Sequence, residues 1–180
     1  AVSKASDGHK AVWMVPQAMD WRCYTSSPKI RAPYLDEMLV MTYISIIGGA
    51  DGLIYYSYFD LMRDPIGFDK RWADMEVMGK EVNLLMPALI SSAKIPKIGF
   101  ESVIGSVKHS VRVDDSGNIY VLMANTNAKS GAVARITVPE NKKVQLLKHA
   151  ALKNISNDVI NGKLTLSLSP MQASTVIIYK

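Results

Sequence analysis

Two segments of the sequence bring aromatic side chains together with amide and carboxylate groups. The candidate binding residues in these segments are Gln17, Trp21, Tyr56 and Tyr58. The flat face of an aromatic ring can stack on the C–H face of a sugar, and amide groups hydrogen-bond sugar hydroxyls. These residue types therefore indicate contact with a carbohydrate. The alternative is that the tyrosines fill space inside the fold, which is the role we predict for Tyr55.

Two carboxylates, Asp20 and Asp60, stand beside these residues, one in each segment. Two carboxyl groups that face each other can act as a general acid and as a base or nucleophile. Each also has a structural interpretation, because Asp20 can hold the loop after it and Asp60 can cap a turn before Leu61. Asp20 and Asp60 are therefore candidate catalytic residues with a structural alternative left open.

The elements that must position these residues are two apolar runs, residues 11–17 and 53–58, each followed by a helical pattern. A strand that is apolar at nearly every position needs cover on both faces, as in parallel sheets packed between helices. The strand–helix–strand–helix order predicts two successive units of a parallel α/β fold. Because two parallel strands do not make a stable sheet alone, we expect the chain to be the end of something larger.

The helical patterns carry start and stop signals. The first pattern begins near Pro33, a favoured first-turn residue, and stops at Gly48 and Gly49. The second has Asp69 as its predicted N-cap. We expect Pro87 to kink or end this helix, because proline lacks a backbone N–H.

The second half of the sequence changes to short strands with frequent turn signals. Residues 114–118 predict a tight hairpin turn, with Gly117 free to adopt a positive φ. Several short strands at roughly 8–12-residue spacing favour an antiparallel β-sandwich. The predicted strands cover residues 103–113, 118–125, 132–138, 144–148, 164–168 and 175–179.

Several stretches together carry a resemblance to a known family. They are VWMVPQAMDW, R-x-P-x3-E at Arg31, Pro33 and Glu37, M-x-Y at Met41 and Tyr43, GGADGLIYYSYFD, and the closing LTLSLSPMQASTVIIYK. Their order resembles the C-terminal part of bacterial glycoside hydrolases that have a (β/α)8 barrel followed by a β-sandwich. Within the motif, we interpret Arg31 and Glu37 as a structural ion pair.

The resemblance implies an α/β plus all-β fold. Residues 1–94 would form the last two βα units of a TIM-type (β/α)8 barrel, and residues 95–180 an antiparallel β-sandwich, with a linker at 95–99. A complete barrel needs about 250 residues, so about three quarters of it would lie upstream. Barrel active sites lie at the carboxyl ends of the strands. That places Gln17, Trp21, Tyr56 and Tyr58 at a substrate site, with Asp20 and Asp60 as weak catalytic candidates.

The function implied by the resemblance is hydrolysis of glycosidic bonds by an intact protein whose main catalytic carboxylates lie upstream. This chain alone would be inactive. Its partners would be a carbohydrate and the upstream remainder of the barrel, and its location extracellular or periplasmic. One alternative is a non-catalytic carbohydrate-binding or scaffolding protein with a degenerate barrel. Another is a self-contained α/β protein that completes its sheet by oligomerising.

Several function classes find no support in the sequence. The net charge of +5 comes from scattered lysines and arginines, so we expect no nucleic-acid binding. Cys23 is the single cysteine and predicts a free thiol. His9, His109 and His149 lack the spacing of metal ligands, and no phosphate loop is present, so we expect no metal and no cofactor. No run is long enough to predict a membrane-spanning helix.

Overall fold

The computed structural model of the chain describes residues 10–25, 27, 30–147 and 158–180. The chain divides into two compact units, Ala1–Glu81 and Val82–Lys180. The predicted domain boundary at residues 94 and 95 stays a prediction. No helix in the described part of the chain has the length and apolar character needed to cross a membrane.

The first unit is built around a strand–helix–strand motif. Its strands β1 and β2 pair in parallel, with Trp13 opposite Gly52 and Met14 opposite Leu53. A further parallel bridge joins Gln17 to Tyr56. The elements are β1 (Trp13–Met14), a 3-10 helix (Trp21–Cys23), α1 (Leu35–Ile47), β2 (Gly52–Leu53), α2 (Tyr58–Leu61) and α3 (Phe68–Leu89), which continues beyond Glu81. The parallel pairing is the one predicted, whereas closure into a barrel stays a prediction.

The two parallel strands differ from the prediction in length and in burial. Regular pairing covers two residues in each strand rather than residues 11–17 and 53–58. Every second side chain of these segments is exposed to solvent. The exposed fractions are 59% for Trp13, 57% for Val15, 52% for Ile54 and 51% for Tyr56. The expected cover on both faces is therefore wrong for the chain by itself. The opposite face is covered by α1, where the Tyr55 hydroxyl hydrogen-bonds Thr42.

The C-terminal end of α1 follows the sequence signal, whereas the helix begins at Leu35, so Pro33 precedes the N-cap Tyr34 and is not in the first turn. Glu37 accepts a hydrogen bond from the backbone N–H of Tyr34 at 2.7 Å and pairs with Arg31 at 2.6 Å, which fixes the first turn. Both contacts lower the pKa of Glu37, the bond from Arg31 most. Gly48 caps the C-terminus and Gly49 follows with φ 89°. The predicted structural pair and the predicted stop are both present.

Helix α3 departs from the prediction at its start. It begins at Phe68, so Asp69 lies in its first turn and is not the N-cap. It continues past Pro87 to Leu89 and ends there. A buried hydrogen bond of 2.5 Å from the Tyr43 hydroxyl to Glu81 joins α1 to α3.

The second unit contains two antiparallel sheets of four strands each. One sheet has the order β4-β5-β10-β7 and the other β3-β6-β9-β8. The strands are β3 (Phe100–Ile104), β4 (Val107–Val113), β5 (Ile119–Asn125), β6 (Ala132–Thr137), β7 (Val144–Leu146), β8 (Asp158–Ile160), β9 (Lys163–Leu168) and β10 (Gln172–Ile178).

The two sheets share one hydrophobic core, an arrangement compatible with the predicted β-sandwich. Val121, Met123 and Val176 enter the core from the first sheet, and Ile136 and Leu166 enter it from the second. Residues of β9 alternate between buried and outward positions.

Strand pairing in this unit corrects two details of the prediction. The predicted strand at 103–113 is two strands in different sheets, β3 and β4, because the chain turns at Gly105 with φ 70°. Strand β8 was not predicted. The hairpin turn at 114–118 is present, with Gly117 at φ 84° and its N–H bonded to the carbonyl of Asp114.

Candidate functional site

The carboxyl ends of β1 and β2 are tied together by backbone hydrogen bonds. The N–H groups of Ala18 and Met19 both donate to the carbonyl of Tyr56, at 3.0 and 3.3 Å. The Gln17 side-chain amide donates to the carbonyl of Met19 at 2.8 Å. Gln17, Trp21, Tyr56 and Tyr58 thus follow adjacent strands, as the predicted site requires.

Asp20 is fully buried and serves the loop after β1. Its Oδ1 accepts the backbone N–H of Arg22 at 2.8 Å, which caps the 3-10 helix. The guanidinium of Arg22 donates to Oδ2 through Nε at 2.8 Å and Nη2 at 2.5 Å. These bonds from Arg22 outweigh burial and lower the pKa of Asp20. Asp20 is therefore ionised at neutral pH and poorly suited to act as a general acid.

Asp60 connects the two strand-end loops. It lies in α2, is 2% exposed, and accepts hydrogen bonds from the hydroxyls of Ser57 and Tyr24. The bond from Ser57 and then the bond from Tyr24 lower the pKa of Asp60. The same contact raises the pKa of the Tyr24 phenol. Asp60 thus holds Tyr24, from the loop after β1, against the segment after β2.

Cys23 packs in the same loop and is a free thiol. Its Sγ donates to the carbonyls of Arg63 and Asp60 at 3.4 and 3.7 Å. Burial, followed by the negative charges of Asp64, Asp20 and Asp60, raises the pKa of the thiol. A raised thiol pKa disfavours a nucleophilic role.

Aromatic side chains dominate the exposed surface at these strand ends. Trp21, Tyr24, Tyr56 and Tyr58 are 48%, 57%, 51% and 52% exposed. Trp21 and Tyr24 form a tilted pair with ring centroids 6.3 Å apart, which we call the Trp21–Tyr24 pair.

A second aromatic group surrounds Tyr58. Tyr58 meets Phe68 and Trp72 edge-on, at centroid distances of 5.8 and 5.9 Å, while Phe68 and Trp72 stack at 5.5 Å. Phe59 contacts Tyr58 edge-on at 6.1 Å. We call these four residues the Tyr58 cluster.

Sequence reasoning missed several residues of this site. Trp72 lies on α3, is 42% exposed and contacts Tyr58. Arg22 and Tyr24, which bind the two carboxylates, were not singled out. The density of aromatic residues between 56 and 72 was the available signal. Tyr55 is half-buried against Thr42, which agrees with its predicted packing role.

The described residues hold no group of three or more His, Cys, Asp or Glu placed to bind a metal ion. His109 stacks on Phe100 with centroids 3.7 Å apart, and burial lowers its pKa. His9 and His149 lie outside the described residues.

Comparisons with protein-family models, with curated proteins and with solved structures found no match to the chain.

Proposed function

We propose that the chain is the C-terminal portion of a glycoside hydrolase-like protein and that its strand-end aromatic surface binds carbohydrate. The observation that carries the proposal is the exposure of Trp21, Tyr24, Tyr56 and Tyr58 at the carboxyl ends of two paired parallel strands. Exposed rings beside hydroxyl and amide groups fit the amphipathic surface of a sugar.

The uncovered face of β1 and β2 supports the proposed barrel. Trp13, Val15 and Ile54 present apolar surface there, while α1 covers the other face. Parallel sheets are normally covered on both faces. Further parallel strands, closing the sheet into a barrel, would bury this surface and complete the pairing.

The contacts of the strand-end carboxylates support a structural role for this chain and a catalytic role for the upstream part of the proposed protein. Asp20 is bound by Arg22, and Asp60 by Ser57 and Tyr24, so both are occupied in holding loops. In the proposed enzyme the acid and base come from upstream strands, and this chain contributes sugar contacts. We expect the isolated chain to release no reducing sugar from polysaccharide, and robust turnover would contradict this.

A second candidate function is non-catalytic carbohydrate binding by a degenerate barrel. Asp20 and Asp60 each accept hydrogen bonds from neighbouring side chains, which lower their pKa values. This favours the second candidate, because neither carboxyl group presents a free acid to a substrate. The two candidate functions predict different activities for the intact gene product. Hydrolysis by that product supports the enzyme, whereas binding without hydrolysis supports the second candidate.

Isothermal titration calorimetry tests the binding site directly. The chain is titrated with cellohexaose, xylohexaose, maltohexaose and chitohexaose. The same titrations are carried out on the Trp21→Ala and Trp13→Ala variants. Trp13 is a matched control, because it is a similarly exposed tryptophan in the same unit, located before the strand end. We expect binding of at least one hexasaccharide, weakened by Trp21→Ala and kept by Trp13→Ala. Equal loss in both variants would contradict the proposed location.

A further inference from the structure

The Tyr58 cluster remains open to solvent although its rings pack on one another. Phe59 is 71% exposed, Tyr58 52% and Trp72 42%. An aromatic cluster that only filled the core would bury these rings, since large aromatic side chains stabilise a fold through the area they bury. The exposed area is therefore available to a ligand.

The cluster is held in a fixed orientation by its surroundings. Trp72 and Phe68 lie one turn apart on α3 and stack with an interplanar angle of 18°. The neighbouring Arg71 is buried, donating to Asp64 at 3.0 Å and to the carbonyl of Pro33 at 3.0 Å. This anchors the first turns of α3, so the aromatic surface is organised before any ligand arrives.

A hydrogen bond connects the segment that carries Tyr58 to the Trp21–Tyr24 pair. Asp60 accepts the hydroxyl of Tyr24 and lies two residues after Tyr58 in α2. One buried carboxylate thereby links the two aromatic groups. Both groups follow the carboxyl ends of the paired strands β1 and β2, so we infer that one extended ligand can contact both.

The geometry points to the Tyr58 cluster as a second sugar-stacking surface, so that the site takes an oligosaccharide spanning both aromatic groups. This inference rests on the proposed carbohydrate binding and makes Trp72 and Phe59 specificity-determining residues for chain length. A monosaccharide or disaccharide covers one group and leaves the other unused.

The test compares hexasaccharides with the matching disaccharides cellobiose, xylobiose, maltose and chitobiose by calorimetry. We expect the chain to bind a hexasaccharide about tenfold or more tightly than its disaccharide. Trp21→Ala and Trp72→Ala should each weaken hexasaccharide binding by about threefold to tenfold, from the worth of one aromatic contact. Trp13→Ala should leave it unchanged. Circular dichroism checks that each variant is folded.

Phe59→Ala provides a second variant, since Phe59 is highly exposed and its loss should not disturb folding. We expect it also to weaken hexasaccharide binding. If Trp72→Ala and Phe59→Ala bind the hexasaccharide like the unmodified chain while Trp21→Ala weakens it, the inference is wrong and the proposed function stands. If the unmodified chain binds none of the hexasaccharides, both are wrong.

Discussion

Removing one hydroxyl from Tyr43 should measurably destabilise the first unit. Tyr43 is fully buried, and its hydroxyl donates to a carboxylate oxygen of Glu81, itself 3% exposed, at 2.5 Å. Tyr43→Phe keeps the ring and removes the donor. A hydrogen bond to a charged group contributes about 1.5–3 kcal/mol, because the carboxylate loses a donor that water cannot easily replace at a buried site.

The size of the effect follows from the size of the unit that unfolds, Ala1–Glu81. At about 4–8 °C per kcal/mol for a unit of this length, the loss lowers the Tm of the first unit by about 6–24 °C. All three tryptophans, at positions 13, 21 and 72, lie in this unit, so tryptophan fluorescence follows its unfolding separately. Tyr34→Phe is the matched control, because Tyr34 is 65% exposed. Equal Tm values for the two variants would show that the hydrogen bond from Tyr43 to Glu81 does not stabilise the first unit.

Three further predictions concern the core, the pH dependence and the thiol. Leu166→Ala should cost about 2–5 kcal/mol in chemical unfolding followed by circular dichroism, whereas outward-facing Ser167→Ala should change stability by less than about 0.5 kcal/mol. Asp20 and Asp60 have lowered pKa values, so the folded state binds fewer protons than the unfolded state. The two carboxylates should therefore stabilise the folded state at neutral pH, and this stabilisation should be lost as the pH falls below about 3.9. An unfolding midpoint that does not change with pH in this range would contradict the prediction. Cys23 should react with iodoacetamide more slowly in the folded chain than in urea, and equal rates would show that its raised pKa and packing have no effect.

Much of the fold follows from local patterns in the sequence. The alternation in residues 163–168 identifies the core face of β9, and the glycine at 117 identifies a hairpin. Gly48 and Gly49 likewise identify the end of α1. These features depend on neighbouring residues, so periodicity and turn chemistry suffice to find them.

Other features depend on contacts between distant residues, and the sequence patterns did not predict them. The apolar character of β1 predicts burial of Trp13, but whether cover is supplied by the same chain is not a local property. Gly105 lies between β3 and β4, which belong to different sheets, and this separation depends on strand partners far away in the sequence. The bond from Tyr24 to Asp60 joins residues 36 positions apart, so the carboxylate's role could not be separated from catalysis by sequence.

A crystal structure of the chain with a bound hexasaccharide would show directly whether the strand ends bind carbohydrate. We expect the sugar to lie at the carboxyl ends of β1 and β2, with its rings stacked on Trp21 and on the Tyr58 cluster. Sugar bound elsewhere, with the strand-end aromatic side chains uncovered, would contradict it.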